Sequence, residues 1–108
     1  MQFEWDENKR KANIEKHGID FEDAVKIFDG FISSHEDMRA DYGEKRYVTI
    51  GLLEGIEIAV IHTPREEKER IISVRRARIK ERERYYKEKE AEEKKNGDRF
   101  REIESNEG

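Results

Sequence analysis

Residues 46–74 read RYVTIGLLEGIEIAVIHTPREEKERIISV, and no other stretch says as much about the architecture. Three runs rich in β-branched and aromatic side chains lie within it: Arg46–Leu52, Ile56–His62 and Arg70–Val74. Glu54-Gly55 is a turn of about two residues, so the first two runs pair as a hairpin. Pro64 offers no N–H to a ladder and ends the second run, leaving Arg65–Glu69 as a charged connection. The third run returns antiparallel to the second. Upstream, Phe31–His35 is a shorter and weaker strand candidate.

Toward the N-terminus, Gln2–Trp5 alternates polar and apolar, as a short strand with Phe3 and Trp5 on one face does. Asp6 is a good N-cap for a helix over Glu7–His17, and Gly18 ends that helix as a C′ glycine. Asp20 caps a second helix, in which Phe21, Ala24, Val25 and Phe28 follow i, i+3, i+4, i+7 spacing until Gly30 closes it.

Toward the C-terminus the pattern changes. Residues 75–95 hold no Gly or Pro, and Ile79 is their one β-branched residue, so a helix is expected from Arg75 onward. Ala77, Ile79 and Tyr86 are its sparse apolar contacts. Lys87–Lys95 has almost nothing to bury and either protrudes or frays, and Asn96-Gly97 stops the helix. Residues 98–108 have only Phe100 and Ile103 as anchors. The expected fold is α+β: two N-terminal helices, a three- to four-stranded antiparallel sheet in meander order, and a C-terminal helix.

Composition narrows the class. The 108 residues suit one domain. Charged residues make up 46% and hydrophobic ones 33%, with a mean hydropathy of −1.17, close to the limit for burying a core. Five Phe, four Tyr and one Trp keep the chain on the globular side of that limit. The absence of Cys excludes a disulfide framework, a Cys-zinc site and a thiol nucleophile. No apolar run approaches the ~20 residues of a membrane span and no signal-peptide pattern opens the chain, so a cytoplasmic protein without membrane contact is expected.

The net charge of −4 conceals an asymmetry. Residues 1–64 carry 8 Lys/Arg against 14 Asp/Glu, residues 65–95 carry 13 against 9, and residues 96–108 carry 2 against 4. The window 70–87 is the most basic, with eight cations against Glu81 and Glu83. Such a stripe attracts phosphates locally even on an acidic protein, because charges are screened over ~8 Å at physiological salt. A solvated helix face has the same composition.

Phe3-x-Trp5-Asp6, Asn13-x-x-Lys16-His17-Gly18-Ile19-x-Phe21-x-x-Ala24, Arg46, Gly51, and Arg70-Ile71-Ile72-Ser73-Val74-Arg75-Arg76-Ala77 followed by Glu81-Arg82-x-x-Tyr85 form an ordered series. That series resembles the BrnT family, small bacterial ribonuclease toxins of type II toxin–antitoxin pairs. The resemblance implies a compact RelE-like domain over residues 1–86, with residues 87–108 a charged extension, partly helical or mobile. It implies RNA cleavage without a metal or other cofactor, a block of translation, and neutralisation by a BrnA-like antitoxin bearing a ribbon-helix-helix part. Promoter DNA would be reached only through that antitoxin.

Cleaving RNA without a metal needs a group that takes the 2′-OH proton, cations for the phosphoryl oxygens, and a donor for the leaving 5′-oxygen. Arginine suits the second task through its planar fork. Arg75 and Arg76 are neighbours, so in a strand they point to opposite faces. Arg75 is the favoured one, since Ser73 shares its face while Ile72 and Val74 fall on the other. Arg46, opening the first long strand, is expected to bring a second guanidinium to the same phosphate. The bland alternative for each is a surface ion pair with one of the many Glu residues.

His17 can exchange protons near neutral pH and Lys16 beside it can hold phosphate, but cations in the last turn of a helix also simply favour its dipole. Glu44 is a candidate base. Arg70, Arg78, Lys80, Arg82 and Tyr85 are candidate RNA contacts, Tyr85 by stacking on a base or else by closing the core. His35 and His62 sit on strand patterns and read as structural. No spacing suits a metal site, and no phosphate-loop, GxGxxG or Gly-x-Ser-x-Gly motif is present. A non-catalytic RNA- or antitoxin-binding module is the competing reading.

Overall fold

The local signals are largely realised in a computed structural model, which describes the backbone of residues 1–39 and 41–107 and the side chains of residues 1–39 and 41–95. Strand β1 (Gln2–Trp5) leads into α1 (Glu7–His17), with the Asp6 carboxylate accepting from the N–H groups of Asn8 and Lys9. Gly18 closes α1 at φ 70°. Asp20 then caps α2 (Phe21–Ala24), and the Arg10 guanidinium grips its carboxylate at 2.8 and 2.9 Å, tying α1 to α2.

The second helix is shorter than expected. After Ala24 the chain tightens into a 3₁₀ turn, Val25–Asp29. That turn lays Ile27 directly on Gly51 of the sheet.

Strands β2 (Ser33–Glu36), β3 (Tyr47–Leu53), β4 (Ile56–Arg65) and β5 (Lys68–Arg76) follow. The two long hairpins turn on two residues each. Glu54 and Gly55 both take positive φ, 50° and 80°, which matches the right-handed twist of the flanking strands. The second turn is Glu66-Glu67, with Glu66 at φ 55°. Pro64 therefore lies inside β4, opposite Glu69, and does not end it. It can do so because β3 begins at Tyr47, opposite His62, so no ladder on that side asks Pro64 for an N–H.

The expected three- or four-stranded antiparallel meander is corrected in one respect. The sheet has five strands in the order β1-β5-β4-β3-β2, and β1 joins β5 in parallel. Strand alternation encodes a buried face but not a pairing partner so far along the chain.

Two cores flank the sheet. On the back face, α1, α2 and the 3₁₀ turn cover Ile58, Val60, Ile71 and Val74, with Phe21, Ala24 and Ile27 between and Phe3 and Trp5 packed alongside. On the front face, Val48, Ile50, Ala59 and Ile61 meet Tyr85 of α3 (Ile79–Glu107).

Helix α3 starts later than its composition suggests. β5 extends through Arg76, whose partner is Ile58, so pairing across the sheet overrides helix propensity at residues 75–78. The helix also runs through Asn96-Gly97, the expected stop. The proposed anchors Phe100 and Ile103 have side chains outside the described residues.

Candidate active site

Alternation along β5 separates Arg75 from Arg76. Arg75 pairs with Ala59 and points to the front face; Arg76 pairs with Ile58 and points to the back. The predicted companionship of Ile72 with Val74 fails. A bulge between Ile61 and His62 leaves Ile72 as an extra residue, and it packs into the front core.

Arg75 is held in place. Its Nη1 and Nη2 donate to the two carboxylate oxygens of Glu81 at 2.7 and 2.9 Å, and Nη1 also reaches the Arg76 carbonyl at 3.3 Å. Both side chains are 15% exposed. Glu81 accepts the Arg78 N–H at 2.8 Å as well, which caps the start of α3. Burial alone would raise the Glu81 carboxyl, but Arg75 and that N–H outweigh it and hold the group below its ordinary value. End-on engagement leaves the opposite edge of the guanidinium, Nε–H with one Nη2–H, for another acceptor.

Arg75, Arg78 and Glu81 line a cleft of about 170 Å³ together with His35, Val48 and the segment Glu36–Arg39. Arg39 bridges Asp37 across this rim at 2.9 Å and holds its carboxyl down to about 2, against a burial effect in the opposite sense. His35, read from the sequence as structural, is a wall of this cleft. Its Nδ1 is buried and has no hydrogen-bond partner, which leaves Nε2 as the nitrogen that can reach a ligand. The signal was its place beside Glu36-Asp37 at a strand end, but the cleft comes from β2, β3, β5 and α3 together.

The other expected residues scatter. Arg46 donates to Glu44 at 3.4 Å and lies over the Tyr42 ring at 4.0 Å, while Glu44 also faces Arg65 at 3.7 Å. Arg46 is four residues along the strands from the Arg75 row and two strands across, roughly 16 Å by standard spacing. Arg75 lines the front cleft and Arg46 does not; Arg46 is turned to Glu44 and Tyr42. Arg70 pairs with Glu4 at 3.8 Å. Lys16 and Lys80 are exposed, and Arg82 is half-buried. Tyr85 is 2% exposed with its hydroxyl toward the Phe31 carbonyl at 3.4 Å, so it closes the core and offers no ring face to a base. His17 and Arg76 meet in a separate cavity of about 280 Å³ on the back face.

His62 is structural as expected. It links Thr49 at 2.7 Å and Glu69 at 2.8 Å, with Thr49 and His62 themselves buried and the Glu69 side chain 22% exposed.

A family profile described as "Ribonuclease toxin, BrnT, of type II toxin-antitoxin system" matches residues 5–81. The chain belongs to the BrnT family. No curated protein matches it. The BrnT match takes in the whole front cleft, from His35 to Glu81, and also Asn13, Gly18 and Gly51, whose roles lie in the fold. As a BrnT toxin of a type II system the chain has an antitoxin as partner. Among the described residues no helix is long and apolar enough to cross a membrane.

Proposed function

We propose that this BrnT-family ribonuclease toxin is a metal-independent endoribonuclease that acts in the cytoplasm, inhibits translation and is neutralised by a BrnA-like ribbon-helix-helix antitoxin. Residues 1–86 are its RelE-like working domain and residues 87–108 an extension. The observation that carries this reading is the front cleft, where a guanidinium fixed by Glu81 and an imidazole with an orphaned Nδ1 share one wall.

In this reading His35 takes the 2′-OH proton, the 2′-oxygen attacks phosphorus, the P–O5′ bond breaks, and the leaving 5′-oxygen takes up a proton from the protonated His35 or from water. Arg75 and Arg78 offset the charge that builds on the phosphoryl oxygens. The ends are a 2′,3′-cyclic phosphate and a 5′-hydroxyl. Arg46, Arg70, Lys80 and Arg82 steer the strand from outside the cleft.

Purified protein should cut RNA in EDTA and leave cyclic phosphate ends. His35→Ala and Arg75→Ala should each slow cleavage by roughly 10²–10⁴-fold, the usual worth of such groups. Intact RNA with wild-type protein, beside bound antitoxin, would support the non-catalytic module instead, a role that the occupied state of Arg75 also suits.

A further inference from the structure

The front cleft is one end of a longer groove. Val48 of β3 lines the cleft, and Leu52, on the same strand and the same face, lines a second cavity of about 320 Å³. Helix α3 runs the same way: Glu81 lines the cleft, while Tyr85 and Lys89 line the cavity. The two elements give the same separation, roughly 13 Å from Val48 to Leu52 by strand rise and roughly 12 Å from Glu81 to Lys89 by helix rise. The outer wall is also shared. His35 of β2 stands at the cleft, and Phe31, just before that strand, stands at the cavity. Phe31 and Tyr85 meet across the groove with ring centroids 5.5 Å apart.

The far end of the groove suits an anion with a flat apolar body. Its lining holds Lys26, Lys89 and Gly30 and no acid, whereas Asp20, Asp23 and Glu54 line the back cavity. Lys26 shares its charge with Asp23 at 3.2 Å in solvent. Among the described residues Lys89 enters no ion pair; its ammonium lies 6.0 Å above the Tyr85 ring. Phe31 and Leu52, both half-buried, offer the apolar floor, with Tyr85 sealed beneath Lys89. Glu88, beside the groove, accepts from Arg84 at 3.0 Å, which offsets its repulsion of a passing phosphate. A nucleotide has the matching chemistry: the base buries its ring against apolar walls and the phosphate takes the cation.

We infer that this cavity is a second subsite for the RNA strand, holding the nucleotide about two positions from the linkage that lies against Arg75, since an extended single strand covers the groove in about that many steps. Lys89 takes the phosphate, with Lys26 behind it, and Phe31 and Leu52 take the base. Lys89 lies beyond residues 5–81, so the family match does not assign this contact. The inference rests on the ribonuclease reading for the linkage at Arg75, but occupation of the subsite needs no cleavage.

The test is titration of the full-length protein with a fluorescent RNA hexanucleotide whose 2′-hydroxyls are methylated, so that it binds without being cut. Lys89→Gln keeps most of the stem over Tyr85 and should hold the melting temperature. It should weaken binding by about fivefold, Lys89→Arg should restore it, and Lys26→Gln should weaken it by less. Lys94→Gln, an exposed charge further along α3, should leave binding within about twofold. In an NMR titration of the same complex the Gly30 and Leu52 amide signals should move together with those of the cleft. Unchanged binding in Lys89→Gln overturns the inference, as do equal losses in Lys89→Gln and Lys94→Gln, unmoved Gly30 and Leu52 signals, or no binding by wild type. If binding depends on Lys89 while unmodified RNA stays intact, the subsite stands and the enzymatic reading falls. If wild type and Lys89→Gln bind and cut RNA alike, the enzymatic reading stands and the subsite falls.

Discussion

Asn13 shows how one side chain can join three elements. It is 6% exposed on α1, donates to the Ile19 carbonyl at 2.9 Å and accepts the Val74 N–H at 3.0 Å. Strand β1 stops at Trp5, opposite Ile71, so β5 has no strand neighbour on that edge at Val74. Asn13 stands in for the missing ladder. Asn13→Ala leaves a buried amide and a carbonyl without partners, and each unsatisfied group costs about 1–3 kcal/mol. Urea titration should show a loss in that range or somewhat above it.

At the scale of elements, the contact between the 3₁₀ turn and β3 makes the sharpest demand. A Cβ added at Gly51 would sit 2.7 Å from Cβ of Ile27, which is itself 2% exposed. Gly51→Ala should therefore cost about 1–3 kcal/mol through overpacking, read as a lower urea midpoint with an unchanged slope.

The hairpin of β3 and β4 was legible because its turn chemistry is local: Glu54-Gly55 accepts the left-handed backbone that two residues require. The opposed faces of Arg75 and Arg76 follow as directly from the period of a strand. The pairing of β1 with β5 was hidden, because Gln2 meets Lys68 across nearly the whole domain and no short pattern records that. The start of α3 was misplaced since residues 75–78 have helical composition, while Arg75, Arg76 and the Ala77 N–H are claimed by β4. His35 read as merely structural for a related reason. One strand position says nothing about a cleft whose other walls come from Val48 and from residues 75–81.

For the whole molecule, acid should act through a small number of carboxylates. Arg10 holds Asp20 down to about 2, and Arg39 does the same for Asp37, against an ordinary value of 3.8. The folded state thus binds fewer protons than the unfolded chain. The stabilisation is fully present above the ordinary value and drains away as pH falls through about 2. Urea midpoints should decline between about pH 4 and pH 2. Asp20→Asn and Asp37→Asn should each begin lower at neutral pH and decline less steeply.

The parallel closure of β1 on β5 also sets an order of events during synthesis. β1 leaves the ribosome first, yet its neighbour spans Lys68–Arg76 and emerges last among the strands. Glu81, which fixes Arg75 of that strand, arrives later still. A nascent chain therefore carries no assembled front cleft while most of it is being made. The five-stranded sheet and the pair that fixes Arg75 are thus complete only once translation of the domain is nearly finished.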